Sequence, residues 1–171
     1  MTIIAYDGKR LCADKAVYKG AIHVYNREKI RAFDNDSNDN FSVAFALSGD
    51  LSAIEGKEEE IEYYLRTMTI RDMSKVVQRL NEIMHDPDNI LDGIIVFRVG
   101  NRKTVYQLNN VRLLELPANQ PYAAGNPDGQ MVAMGAMYHG ASATEAVAIA
   151  CRLLNLAQCN DPDNDLTTVS M

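Results

Sequence analysis

The chain has 171 residues, three cysteines and a formal net charge of −6, with a sequence pI near 5.0. That length predicts one domain with one sizeable core, spanning residues 1–171, and the acidic balance argues against a nucleic-acid cleft, which would need clustered Lys and Arg. An odd number of cysteines, widely spaced and without CxxC, argues against a disulfide framework or zinc knuckle.

The first third reads as strands. Thr2-Ile-Ile-Ala-Tyr6 is β-rich, Asp7-Gly8 signals a hairpin, and Arg10 to Asp14 returns. Val17 to Lys19 continues after a kink, and His23 reads as an exposed strand residue. Lys29 to Phe33 alternates apolar and polar, whereas Phe41 to Leu47 is almost continuously apolar, as in a strand covered on both faces. Between them, residues 34–40 superficially resemble a calcium loop. The mid-loop glycine is missing and the twelfth position is Phe45, so a polar hairpin tip is expected and no metal.

Helical spacing follows. Leu51 to Met68 carries Ile54, Ile61, Tyr64 and Leu65, and Thr69 to Met84 carries a clean amphipathic stripe. The acidic run Lys57-Glu58-Glu59-Glu60 reads as a solvated helix face. Strands resume at Ile94 to Val99, Lys103 to Leu108, Val111 to Leu116 and Pro121 to Gly125. A helix then runs from after Asp128 to Gly140, and a second opens on the capping box Ser142-Ala-Thr-Glu145. His85 and His139 sit near helix ends, where a cation meets the favourable end of the dipole. Leu166 to Ser170 closes the chain as a strand. This order predicts an α+β fold: a four-layer αββα sandwich of two facing sheets, each with a helix pair outside. Cys12 and Cys151 lie in apolar runs and are expected as buried, reduced thiols. No signal peptide is read at the N-terminus and no run reaches the length of a membrane span, so the expected compartment is the cytoplasm.

The residue after the initiator methionine is a threonine at the tip of the first strand. Removing Met1 would leave Thr2 with a free α-amine beside its own hydroxyl. That amine has a reference pKa of roughly 7.7–8.0 and can take the hydroxyl proton near neutral pH. A lysine ammonium nearby would lower the amine pKa by like charge, and a carboxylate would fix the lysine. Threonine, lysine, aspartate and an oxyanion donor make the minimal set.

The segments TIIAYDG, LCADKAVYKG, REKIRAF, VAFALSGDLSA and AAGNPDGQMVAMGAMYHGASATEAVAIACRL occur in this order across nearly the whole chain. Together they resemble a proteasome β-type subunit, closest in flavour to small bacterial proteasome-like peptidase subunits. The resemblance implies an N-terminal-nucleophile hydrolase that uses no cofactor or metal. It gives Thr2 the nucleophile's place, Asp14 that of the strand-end aspartate, Lys29 that of the charged lysine and Gly49 that of the oxyanion-hole glycine. Where the family often has Gly-Ser-Gly, this chain has Gly125-Asn126-Pro127, so Asn126 stands at the site without a hydroxyl. The family's downstream Asp-x-x-Ser pairing is not clear: Asp161 and Asp163 fit by distance along the chain, and only Asp165 has a hydroxyl residue, Thr168, three positions on.

Three functions remain open at this stage. The first is a threonine peptidase acting on peptides or unfolded protein within a homo-oligomeric ring, served by an ATP-dependent unfoldase. The second is a non-catalytic scaffold subunit that keeps Met1. The third is an N-terminal-nucleophile amidase acting on a small amide.

Overall fold

A computed structural model describes residues 2–19, 22–36, 38–68, 72–109, 112–154 and 166–171. Met1, Cys159 and the candidate aspartates Asp161, Asp163 and Asp165 lie outside the described residues, as does the side chain of His23.

Strands β1 (Ile3–Tyr6) and β2 (Arg10–Asp14) form the expected hairpin, turned at Asp7 and at Gly8 with φ 89°. The Asp7 carboxylate accepts the N–H groups of Lys9 and Arg10 at 2.9 and 2.8 Å, which closes the turn. β10 (Tyr122–Gly125) and β11 (Leu166–Ser170) complete a four-stranded antiparallel sheet in the order β10-β1-β2-β11. A second antiparallel sheet runs β5-β6-β7-β8-β9, from β5 (Ile30–Asn35) and β6 (Asn38–Ser48) through β7 (Asp92–Val99) and β8 (Arg102–Asn109) to β9 (Arg112–Leu116).

Among the described residues the helices are α1 (Leu51–Thr67), α2 (Met73–Met84), α3 (Pro127–Tyr138) and α4 (Ala143–Leu153). Each starts where a side chain accepts an otherwise unpaired N–H: Asp50, Asp72, Asn126 and Ser142 respectively, the last in the full capping box with Glu145. His85 and His139 are the C-caps of α2 and α3. No described helix is long and apolar enough to cross a membrane.

The expectation of an αββα sandwich built from two sheets is corrected here. The described residues are mixed, with three antiparallel sheets and four helices. The third sheet is a two-stranded ribbon of β3 (Ala16–Lys19) and β4 (Ile22–Asn26). Of β4, the sequence points to a strand only at His23. Among the described residues β4 pairs with β3 alone, through a register shift at Val17/Tyr18, so the ribbon leaves the four-stranded sheet instead of extending β2. The polar stretch 34–40, which begins inside β5, also differs from a simple exposed tip. Asn35 is buried, and its amide donates to the carbonyls of Leu65, Arg66 and Met68 at the end of α1.

Three apolar clusters hold these elements together. One lies between α1, α2 and the five-stranded sheet, built on Phe41, Phe45, Ile61, Leu65, Leu80 and Phe97. Another packs α3 and α4 on the four-stranded sheet through Ile3, Ala5, Cys12, Val147 and Cys151. The third joins the two larger sheets, with Ile4, Tyr6 and Leu11 meeting Ala44, Ile94 and Val96. β1 therefore divides its side chains by strict alternation, Ile3 and Ala5 to the helices and Ile4 and Tyr6 to the other sheet. Continued by one residue, that alternation turns Thr2 toward the five-stranded sheet.

Candidate active site

Thr2 precedes β1, Asp14 ends β2, and Lys29 immediately precedes β5. All three are buried, at 8%, 0% and 4% relative exposure. The Lys29 ammonium donates to Thr2 Oγ1 at 3.0 Å, to Asp14 Oδ2 at 2.7 Å and to the Ala16 carbonyl at 2.7 Å. The other Asp14 oxygen accepts the Ile3 N–H at 2.7 Å. One carboxylate thus fixes both the lysine and the peptide that follows Thr2. Charge-assisted bonds of this kind are the strong ones, and an ammonium set among three acceptors is a positive charge held in one place.

The approach to Lys29 is anchored along its length. The Arg27 N–H donates to the Lys15 carbonyl at 2.8 Å, and Glu28 pairs with Lys15 at 2.7 Å and accepts from the Thr167 hydroxyl. The Arg27 guanidinium reaches Glu58 on α1 at 2.8 Å. Glu58 corrects the reading of its acidic run as a solvated face: its side chain is 1% exposed. Burial pushes its carboxyl above the usual range, against the pull of Arg27 and Arg31.

Gly49 and Asn126 meet Thr2 in the same recess, of about 290 Å³, together with Ser48, Ile90, Asp92 and Gly125. A Cβ on Gly49 would stand 2.7 Å from Leu91 Cδ2 and 2.8 Å from the Ile90 carbonyl, so only glycine fits the backbone there. Asn126 donates its N–H to the Thr2 carbonyl at 2.8 Å, while its side-chain Oδ1 accepts the Gly129 N–H at 3.0 Å and caps α3. Its side-chain oxygen is committed to the helix.

Thr2 also lines a larger cleft of about 530 Å³. One wall is the β3–β4 ribbon, with Val17, Val24 and Tyr25. The opposite wall is the start of α1, with Leu51 and Ile54; Arg27, Lys29 and Glu55 add charge. Thr2 therefore sits where a mostly apolar cleft meets a small polar recess, an arrangement suited to holding a ligand beside the Thr2 hydroxyl.

The structure brings Thr2, Asp14, Lys29, Gly49 and Asn126 into one neighbourhood: Lys29 meets the Thr2 hydroxyl, Asp14 holds Lys29, Asn126 meets the Thr2 carbonyl, and Gly49 lines the same recess. It does not bring Thr168 there. That hydroxyl lies 3.1 Å from the Thr144 hydroxyl and donates to Cys12 Sγ at 3.3 Å. Cys12 is buried, and desolvation pushes its thiol up to about 11. Sequence reasoning missed Asp92, whose Oδ2 accepts the Gly125 N–H at 2.9 Å and whose Oδ1 accepts the Gly93 N–H at 2.8 Å. Burial raises its carboxyl above the usual range, against these two bonds and one from Gln107. The one signal in the sequence is an Asp-Gly step directly before the apolar run Ile94 to Phe97, a pair that by itself marks a turn. Among the described residues no group of three His, Cys, Asp or Glu side chains could hold a metal ion.

Among solved structures, the chain is similar to the Anbu complex of Pseudomonas aeruginosa, solved as a helical assembly, with a TM-score of 0.70 and 9% identity over 100% of this chain and 81% of that one. A Gly-1 mutant of Anbu from Hyphomicrobium sp. strain MC1 gives a TM-score of 0.71 and 12% identity over 99% and 81% of the two chains. HslV of Trypanosoma brucei gives 0.60 and 14%, with both chains covered in full. No family model matches the chain, and no curated protein matches it. At these identities the likeness is one of fold. One such neighbour, from Yersinia bercovieri, is described as Anbu, an ancestral beta-subunit, and this chain shares that fold.

Proposed function

We propose that this proteasome-like subunit is a threonine peptidase whose nucleophile is the Thr2 hydroxyl, exposed with its α-amine when Met1 is removed. The observation that carries the reading is the buried Lys29 ammonium shared between Thr2 Oγ1 and Asp14. Because the Thr2 oxygen accepts from Lys29, its own proton is left for a base, and the free α-amine of the same residue is the base within reach.

In the first step Thr2 Oγ bonds to the carbonyl carbon of the substrate amide while the α-amine takes the hydroxyl proton. The carbonyl oxygen becomes an oxyanion, met by the Gly49 N–H, a contribution worth about 3–4 kcal/mol in comparable sites. The amine then returns its proton to the leaving nitrogen as the C–N bond breaks, leaving an ester on Thr2. Water adds to that ester, giving its proton to the amine. The acid departs and Oγ is reprotonated. Lys29 stays charged throughout: it stabilises negative charge developing on Oγ and lowers the amine pKa by like charge. The apolar cleft beside Thr2 suits a peptide or unfolded segment as substrate.

A homo-oligomer, ring or helical, fits the proteasome-like fold and would screen the site from folded proteins, with an ATP-dependent unfoldase supplying chain. Native light scattering that finds only monomer would count against the assembly. A scaffold role without chemistry is favoured by one feature, the commitment of the Asn126 side chain to the α3 cap, at the position where a hydroxyl relay would stand.

The test joins intact mass with covalent labelling by a peptide vinyl sulfone. A mass short by one methionine, one adduct on Thr2 and no adduct in Thr2→Ala would support the peptidase. Retained Met1 with no adduct supports the scaffold.

A further inference from the structure

We propose that Asp92 is a positioning residue for Thr2, acting through the Gly125–Asn126 turn that grips the Thr2 carbonyl. The inference rests on the peptidase reading of Thr2 and deepens it.

Asp92 opens β7, opposite Ser48 in the register of the five-stranded sheet. Gly125 ends β10, on the four-stranded sheet, opposite Ile3. One carboxylate bridges the two sheets here: Oδ1 holds Gly93 on its own strand and Oδ2 holds Gly125 on the other sheet. Gly125 has φ 100°, in the left-handed region that favours glycine, and its Cα lies so close to Thr2 that an added Cβ would stand 2.2 Å from the Thr2 carbonyl oxygen. The next N–H, of Asn126, donates to that same oxygen at 2.8 Å. Asp92 therefore holds the turn, and the turn holds the Thr2 carbonyl.

The opposite side of the same peptide unit is fixed by Asp14, through the Ile3 N–H. Two carboxylates from different sheets thus clamp one peptide group from its N–H and C=O sides, and the reacting hydroxyl stands on the residue between. With Asp14 alone the Thr2 carbonyl would lose its restraint from the Gly125 side. A near-attack geometry is sensitive to displacements of about 1 Å, which can cost on the order of a hundredfold in rate.

The experiment compares Asp92→Ala and Asp92→Asn with the parent protein in two readouts. One is amide hydrogen exchange at Gly125 and Asn126. The other is the concentration dependence of Thr2 labelling by a peptide vinyl sulfone, which separates the maximal rate from half-saturation. In Asp92→Ala, both amides should exchange faster and the maximal labelling rate should fall roughly ten- to hundredfold, with half-saturation unchanged. Asp92→Asn keeps one acceptor oxygen and should recover part of both losses. Unchanged exchange at Gly125 and Asn126 overturns the proposal. So does faster exchange with an unaltered labelling rate, or a loss confined to half-saturation. If the parent protein takes no label, the peptidase reading fails; the exchange result then still decides whether Asp92 holds the turn.

Discussion

The Lys29 ammonium lies 3.0 Å from the Thr2 hydroxyl oxygen, across 27 positions of sequence, and shares its charge with Asp14 at 2.7 Å. Neither partner of the ion pair is open to solvent, so the pair behaves as one unit: removing either member leaves a buried charge without its counter-charge.

Lys29→Met should therefore do two separable things. It should abolish vinyl sulfone labelling of Thr2, and it should cost about 3–5 kcal/mol of stability by orphaning the Asp14 carboxylate. Adding Asp14→Asn to the same chain should return part of the stability without returning the labelling. Denaturant midpoints and adduct mass measure the two effects independently. A double variant that regains labelling would remove Lys29 from the chemistry.

Gly125→Ala places a methyl where the Thr2 carbonyl already stands, in a backbone conformation that L side chains rarely adopt. Strain of this kind costs about 1–3 kcal/mol. The added Cβ can be relieved only by moving the turn away from Thr2. Thermal melts should show the loss, and labelling of Thr2 should slow. By contrast Gly135→Ala, on α3 with open space around its Cα, should leave labelling unchanged.

Asp7 supplies the pH prediction. One oxygen accepts the Lys9 and Arg10 N–H groups, and the other accepts the Ala143 N–H at 2.9 Å, tying the β1–β2 hairpin to the start of α4. Burial works against the charged form, but these backbone bonds prevail and hold the carboxyl below the ordinary aspartate value of 3.8. A group depressed in the folded state stabilises above its ordinary pKa, and that contribution is lost as pH falls through the folded value. Stability should decline below pH 3.8 partly through Asp7, and the decline should be shallower in Asp7→Asn. Chemical denaturation at stepped pH reads the difference. Parallel acid limbs for the two proteins would assign the decline elsewhere.

Local signals carried much of the fold and part of the site. The Asp7-Gly8 hairpin, the Ser142–Glu145 capping box and the period of α1 and α2 are each set by neighbours within a few residues, so they are legible one segment at a time. Thr2, Asp14, Lys29, Gly49 and Asn126 stand out by a resemblance in segment order, and the folded chain places them in one neighbourhood, with Lys29 donating to the Thr2 hydroxyl.

What escaped the sequence depends on distant partners. The β3–β4 ribbon turned two expected sheets into three, because strand pairing is a choice between alternatives that local alternation does not rank. Glu58 read as a solvated charge until Arg27, 31 residues away, came within 2.8 Å. Asp92 carries no role in the local pattern, yet it joins two sheets beside Thr2, because a carboxylate's partners depend on which N–H groups the folded chain brings within reach. The sequence by itself determined the elements and the residue types the chemistry needs. Only the tertiary structure decided which charge meets which hydroxyl, since such contacts act over about 3 Å, while the residues that make them lie tens of positions apart along the chain.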